Sequence, residues 1–123
     1  MIHLDTSFLI RALVRDSPQD RRLRDWVRNG EGFGISSVAW AEFLCGPVAP
    51  LQMKLVARVL NEHVPFGEPE AALAAALFNE AGRRRGSLSD CMIAATAIRA
   101  EAALATQNPK DFQRFAGAGL RLA

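Results

Sequence analysis

The hydrophobic residues of the chain follow two spacings, and each spacing predicts a different element. Short apolar runs bounded by Gly, Pro, Ser or Asp are typical of buried strands. They predict strands at 1–5, 33–37, 63–66 and 102–106, with a last edge strand at 120–123. Elsewhere apolar residues recur three and four positions apart, as at Leu23, Trp26 and Val27, which indicates a helix with one buried face. This second spacing predicts helices at 8–16, 19–30, 38–47, 51–62, 68–86 and 87–101, and a loop or short helix at 108–117.

Polar residues at the ends of these segments support their bounds. Thr6 or Ser7 is expected to cap the first helix, because a hydroxyl oxygen can accept from a free backbone amide there. Glutamates begin segment 68–86 and arginines 83–85 are expected in its last turn, the arrangement that the helix dipole favours. Strands that alternate with helices predict a parallel sheet covered on both faces. We therefore expect an α/β protein, a three-layer α/β/α sandwich with a mostly parallel central sheet, formed as one domain over residues 1–123.

Composition narrows the class of protein without naming a function. Of the 123 residues 50% are hydrophobic and 23% are charged, which is typical of a globular chain rather than a disordered one. The net charge of +2 permits a nucleic-acid partner but does not require one. Cys45 and Cys91 form no metal-binding or redox pair, so both are expected to be reduced and buried. The absence of a leader or an apolar span predicts a cytoplasmic protein with no membrane partner.

Three carboxylates are each the only charged residue in a mostly apolar stretch that is predicted to contribute to the core. They are Asp5, Glu42 and Asp90, and none has a basic residue within helical reach in its own segment. Burying an ionised carboxylate costs several kcal/mol unless a partner offsets it. Arginines from elsewhere in the fold could pair with each acid. Alternatively, the acids could meet beyond the carboxyl ends of the strands around a shared cation, and oxygen-only ligands favour Mg²⁺, with Mn²⁺ possible, over zinc.

Four segments together resemble a known family. They are MIHLDTSFLI, SSVAWAEFLCG, LSDCMIAATA and ATQNPKDF, in an order and spacing similar to those of PIN-domain ribonucleases, and more closely to the VapC toxins of bacterial toxin–antitoxin pairs. The resemblance covers residue 1 to about residue 115. It implies a PIN-like fold and Mg²⁺-dependent endonucleolytic cleavage of RNA. It also implies an antitoxin partner and a homodimer.

The resemblance assigns roles to particular residues. Asp5, Glu42 and Asp90 match the family's first three acidic positions and are implied as catalytic residues and metal ligands. Thr6 and Ser7 match the hydroxyl or amide pair that follows the first acid, where they would bind substrate or support a ligand.

The fourth acidic position departs from the commonest family pattern. Asn108 stands where some members carry an acid, whereas a T-x-N-x-x-D-F pattern instead makes Asp111 the fourth catalytic acid and Asn108 a polar site residue. Arg11, with Arg15, could contact the RNA backbone from the first helix. The apolar segment 51–60 would suit an antitoxin or a second copy of the chain.

Two other functions remain open at the sequence level. One is a catalytically weak PIN-fold module that binds RNA or protein. The other is a phosphatase that uses Asp5 as a phosphoaspartate nucleophile, although Ser7 stands where such an enzyme of the D-x-D type carries its second acid.

Overall fold

A computed structural model describes residues 1–123, and its elements alternate as the sequence predicts. The strands are β1 (Ile2–Leu4), β2 (Phe33–Ser36), β3 (Glu62–Val64), β4 (Ala103–Ala105) and β5 (Arg121–Leu122). The helices are α1 (Thr6–Ala12), α2 (Pro18–Arg28), α3 (Ser37–Leu44), α4 (Pro50–Val59), α5 (Glu68–Glu80), α6 (Leu88–Arg99) and α7 (Pro109–Gln113), followed by a 3-10 turn at Ala116–Ala118. No helix has the length and apolar character needed to cross a membrane.

The strands form one parallel sheet with the order β3-β2-β1-β4-β5. The chain therefore builds outward from β1 through β2 to β3, then returns to the other side of β1 to add β4 and β5. The reversal lies between β1 and β4, where Leu4 pairs with Ala105 and the Asp5 amide donates to the Ala105 carbonyl at 2.9 Å. In open α/β sheets, ligands bind beyond the strand ends at this kind of reversal. The predicted α/β/α sandwich is confirmed, and its sheet is wholly parallel.

The sheet is held by a core of 23 buried hydrophobic residues. Five of the seven phenylalanines in the chain are almost fully buried, at 2% exposure or less, and aromatic burial of this kind dominates core energetics. Trp26 and Trp40 are partly buried against this core, as the helical spacing predicted for Trp26, and the Trp26 ring lies 5.6 Å from that of Phe8. The small residues of α6 allow that helix to pack closely, since six of its members are buried.

Several predictions about local structure are wrong. Helix α5 ends at Glu80, because Gly82 and Arg83 adopt positive φ angles of 79° and 54°, so the arginines that follow lie in turns beyond the helix. Asp5, not Thr6 or Ser7, is the N-cap residue of α1, and its side chain makes no capping hydrogen bond. Cys45 is exposed rather than buried, whereas Cys91 is buried and both thiols are free, as expected.

Candidate active site

Asp5 occupies the reversal point of the sheet and is held there by two hydroxyls. It is 6% exposed. Its Oδ2 accepts hydrogen bonds from Ser7 at 2.8 Å and from Thr106, at the end of β4, at 2.7 Å. The Ser7 hydroxyl in turn accepts from the Gln107 amide at 3.1 Å, and the Thr106 hydroxyl accepts from the Asn108 amide at the same distance. These contacts fix the carboxylate of Asp5 toward β4 and away from the amides of its own helix.

Glu42 is brought toward Asp5 by contacts between α1 and α3. Ser36 ends β2 and caps α3 by accepting from the Ala39 amide at 3.0 Å. Thr6 then donates to the Ala39 carbonyl at 2.7 Å and so joins the start of α1 to the first turn of α3. Helix α3 buries Ala39 and Phe43, which leaves Glu42 on a face exposed to solvent. The expectation that Glu42 lies in the core is therefore wrong, although it lies close enough to the other acids to interact with them.

Partial desolvation of its carboxyl group raises the pKa of Glu42, and the negative charges of Asp5 and Asp90 raise it further. Glu42 as a whole residue is exposed, whereas its carboxyl group is partly desolvated and feels the charges of two other acids. Because Glu42 is exposed, solvent screens these charges, so their effect on the free energy of unfolding is small. The charges of Asp5, which follows β1, and of Asp90 in α6 thus both act on Glu42 in α3.

Asp90 lies in the first turn of α6 and joins the acids to the C-terminal part of the chain. Burial raises the pKa of Asp90, as do the charges of Asp5 and Asp111, while Arg114 and Arg84 lower it. Asp111, in the first turn of α7, is half-buried, and its charge acts on Asp90. Asn108 precedes α7, is exposed, and makes no side-chain cap.

The alternative of a separate arginine for each acid finds limited support. The only ion pair made by these four acids joins Arg114 Nη2 to Asp90 Oδ2 at 3.9 Å, too long for a hydrogen bond. The pKa of Asp90 stays raised despite this cation, so the arginine does not offset the desolvation and the acidic neighbours. The site therefore carries uncompensated negative charge, which a bound cation would relieve.

No group of three or more His, Cys, Asp or Glu side chains is arranged to hold a metal ion. The acids therefore influence one another through their charges but do not form a ready-made cage. This geometry still fits Mg²⁺, which keeps several of its waters and takes only one or two protein carboxylates. It does not fit an ion that needs a complete set of protein ligands.

Arg11 is exposed in the last turn of α1 and is not among the charges that shift the pKa of Glu42 or Asp90. Sequence reasoning missed Thr106 and Arg114 as members of the site. Thr106 is the last residue of the predicted strand 102–106 and the first of the T-x-N-x-x-D-F pattern, but only the strand order puts that strand beside β1. Arg114 carried no signal, because its approach to Asp90 depends on how α7 packs against α6.

Solved structures of similar fold cover nearly the whole chain. VapBC2 from Rickettsia felis, bound to a DNA fragment from its promoter, has a TM-score of 0.78 at 24% identity over 100% of this chain and 98% of that one. A toxin–antitoxin complex from Klebsiella pneumoniae has a TM-score of 0.72 at 25% identity over 91% and 90%. DNA-bound VapBC from Salmonella typhimurium has a TM-score of 0.76 at 22% identity over 99% and 96%. The comparison with curated proteins finds no match.

The sequence profile of the PIN domain matches residues 2–118. That span includes all four acids as well as Thr6, Ser7 and Thr106. The fold, the reversal point with its paired hydroxyls, and the profile agree with the resemblance drawn from the sequence motifs. The chain therefore belongs to the PIN domain family.

Proposed function

We propose that this protein is a Mg²⁺-dependent endoribonuclease that acts as the toxin of a toxin–antitoxin pair. One observation carries the proposal: Asp5, Glu42 and Asp90, from three separate elements, interact at the reversal point of the sheet with their repulsion only partly offset. Mutual repulsion of this kind is the state expected of a cation site without its cation. Membership in the PIN domain family and the likeness to toxin–antitoxin complexes support the same function.

Asp5 and Asp90 are the proposed direct ligands, and Glu42 would bind the ion directly or through a coordinated water. Mg²⁺ suits these oxygen donors, and Mn²⁺ is a suitable replacement. When bound, the ion supplies a water of lowered pKa and offsets the charge that develops on the phosphate. Ser7 and Thr106 orient Asp5 through its Oδ2, while Oδ1 accepts no hydrogen bond from the protein and remains available.

The remaining polar residues have supporting roles in this proposal. Thr6 positions the acid-bearing helix α3 through its bond to the Ala39 carbonyl. Asp111 adds negative charge beside Asp90, where it would hold the hydration shell of the ion or a second ion. Asn108, which is exposed just before α7, would contact the substrate beside the acids. Arg11, which lies farther along α1, would contact the RNA backbone only outside the acidic centre.

RNA cleavage with Mg²⁺ and with EDTA tests the proposal. Asp5→Asn removes one charge but keeps an oxygen that can accept from Ser7 and Thr106, so the fold should persist while cleavage is lost. Asp25→Asn is the matched control, because Asp25 is an exposed acid paired with Arg28 at 2.8 Å. Cleavage that survives EDTA, or that Asp5→Asn leaves intact, would contradict the proposed metal-dependent mechanism. Absence of cleavage by the wild type would favour the binding-module alternative.

An antitoxin is the proposed protein partner. A groove of about 550 Å³ lies between α1, α2 and α4, and its apolar lining includes Val27 and Leu55, which are 54% and 44% exposed. Four arginines also line it, namely Arg15, Arg24, Arg28 and Arg58, together with one acid, Asp20, which pairs with Arg24 at 3.1 Å. An amphipathic segment with an apolar face and acidic flanks would complement this surface. The groove includes part of the segment 51–60 that sequence analysis proposed for a partner.

Co-expression with the product of the neighbouring gene tests this assignment. Leu55→Asp should abolish co-purification, because it places a charge in the apolar floor of the groove. Ile10→Asp is the control, since Ile10 is 50% exposed but does not line the groove. Equal co-purification of both variants would remove the groove from the interface. The expected homodimer is tested by light scattering, where a monomeric mass across the working concentration range would contradict it.

A further inference from the structure

Arg114 is the one cation that touches the acidic centre, and its surroundings are unusual. It follows α7 directly and is 21% exposed at its side chain. Its guanidinium carbon lies 4.6 Å from the centre of the Phe115 ring, which is itself almost fully buried. This stacking fixes the plane of the guanidinium beside Asp90.

The guanidinium makes no hydrogen bond within the protein. Its Nε is buried without a partner, and its Nη2 reaches Asp90 only at 3.9 Å. An arginine has five N–H donors, and leaving such donors unpaired in a partly desolvated place is costly. The side chains of Arg114 and Asp90 are 21% and 32% exposed, so solvent or a ligand can reach the guanidinium beside Asp90. The arrangement resembles a donor set prepared for a ligand that the acids alone would repel.

We propose that Arg114 is a substrate-binding residue whose guanidinium donates to an oxygen of the RNA phosphate at the acidic centre. The inference rests on the proposed nuclease function. A phosphate oxygen is the acceptor that matches a planar guanidinium, since the two can form parallel charge-assisted hydrogen bonds. Asp90 keeps the guanidinium beside the acids by an ionic contact of 3.9 Å. This contact is too long for a hydrogen bond, so the N–H donors remain free for the substrate.

This role predicts opposite effects on the two ligands of the site. The positive charge of Arg114 attracts RNA but opposes a divalent cation at Asp90. Loss of the charge should therefore weaken RNA binding and leave metal binding unchanged or stronger. A merely structural role, in which Arg114 supports α7 and Asp90, would weaken both together.

The experiment compares wild type with Arg114→Gln in two titrations. Mn²⁺ binding is measured by calorimetry without RNA. RNA binding is measured by anisotropy of a labelled single-stranded RNA of mixed sequence, with Ca²⁺ replacing Mg²⁺ and the RNA recovered intact. We expect RNA affinity to fall about tenfold, as for the loss of a hydrogen bond to a charged group. The slope of log affinity against log salt should decrease by about 0.7, since one phosphate contact is lost from a single strand.

Two further variants keep the result interpretable. Arg114→Lys retains the charge but loses the planar fork, so affinity should fall while the salt slope stays that of the wild type. Arg99→Gln is the matched control, because Arg99 makes an ion pair of similar length, 3.8 Å to Glu70, at the other end of α6. It should change neither titration.

Equal losses of Mn²⁺ and RNA affinity in Arg114→Gln, or RNA binding like that of Arg99→Gln, would overturn the assignment. Wild-type protein that binds the RNA but does not cut it with Mg²⁺ would instead overturn the proposed nuclease function, while the phosphate contact of Arg114 could still be measured.

Discussion

Replacement of Thr106 by Val tests whether Asp5 is fixed by the hydroxyl at the end of β4. The change keeps the side-chain shape but removes the donor that lies 2.7 Å from Asp5 Oδ2. It also removes the acceptor of the Asn108 amide, which is exposed and can bond to water instead. A hydrogen bond to a charged group contributes about 1.5–3 kcal/mol. Ser7 still donates to the same oxygen at 2.8 Å, so the lower end applies. We expect the free energy of unfolding to fall by about 1.5 kcal/mol in urea titrations with EDTA at neutral pH.

Thr96→Val provides the matched control within the same chain. Thr96 is fully buried, and its hydroxyl donates at 2.9 Å to the Met92 carbonyl, a neutral acceptor. Loss of a neutral hydrogen bond should cost about 1 kcal/mol. In an Asp5→Asn background the acceptor is also neutral, so the cost of Thr106→Val should fall toward that of the control. A cost no greater than that of Thr96→Val, or an unchanged cost in the Asp5→Asn background, would refute the reasoning.

Three other predictions concern pH and packing. Desolvation raises the pKa values of Glu42 and Asp90 in the folded chain above their unfolded values of 4.5 and 3.8. Between the unfolded and folded pKa values the folded chain binds more protons than the unfolded one. These two groups should therefore add stability to the metal-free protein as pH falls through that window. Glu42→Gln with Asp90→Asn should remove this rise in urea titrations at several pH values, and an unchanged profile would contradict it. Burial lowers the pKa of His3, against a smaller opposing effect of Glu62, so this residue should remove stability as pH falls below 6.5. The stability of wild type relative to His3→Leu, measured by thermal unfolding across pH, should therefore decline there. Gly34→Ala would place a methyl group 2.9 Å from the His3 ring, so it should cost about 1–3 kcal/mol of unfolding free energy, and a neutral result would mean that the ring can move.

Local pattern determined most of the fold because the central strands β1, β2 and β4 are short, mostly apolar and bounded by polar residues. The alternation of strands and helices was enough to predict a parallel sheet. Its order was not predictable, since nothing in segment 102–106 says that it pairs with β1 rather than with β3. The end of α5 was also misjudged, because helix-favouring composition continues toward residue 85 while the positive φ angles at Gly82 and Arg83 interrupt the backbone. Those angles depend on a turn that charge patterning does not reveal.

The acids of the site were identifiable because a carboxylate among apolar residues is costly to bury unless it has a partner. This signal does not depend on which face of a helix the carboxylate occupies. The same reasoning misplaced Glu42 in the core, since the apolar residues around it contact the protein on the opposite side of α3. Arg114, the cation that pairs with Asp90, was not identified from the sequence for a different reason. Arg114 lies 24 positions beyond Asp90 in a charged, surface-like segment, where a cation appears ordinary until α7 packs against α6. Sequence isolation therefore reveals the groups that a fold must compensate, and the tertiary contacts between elements decide which residues compensate them.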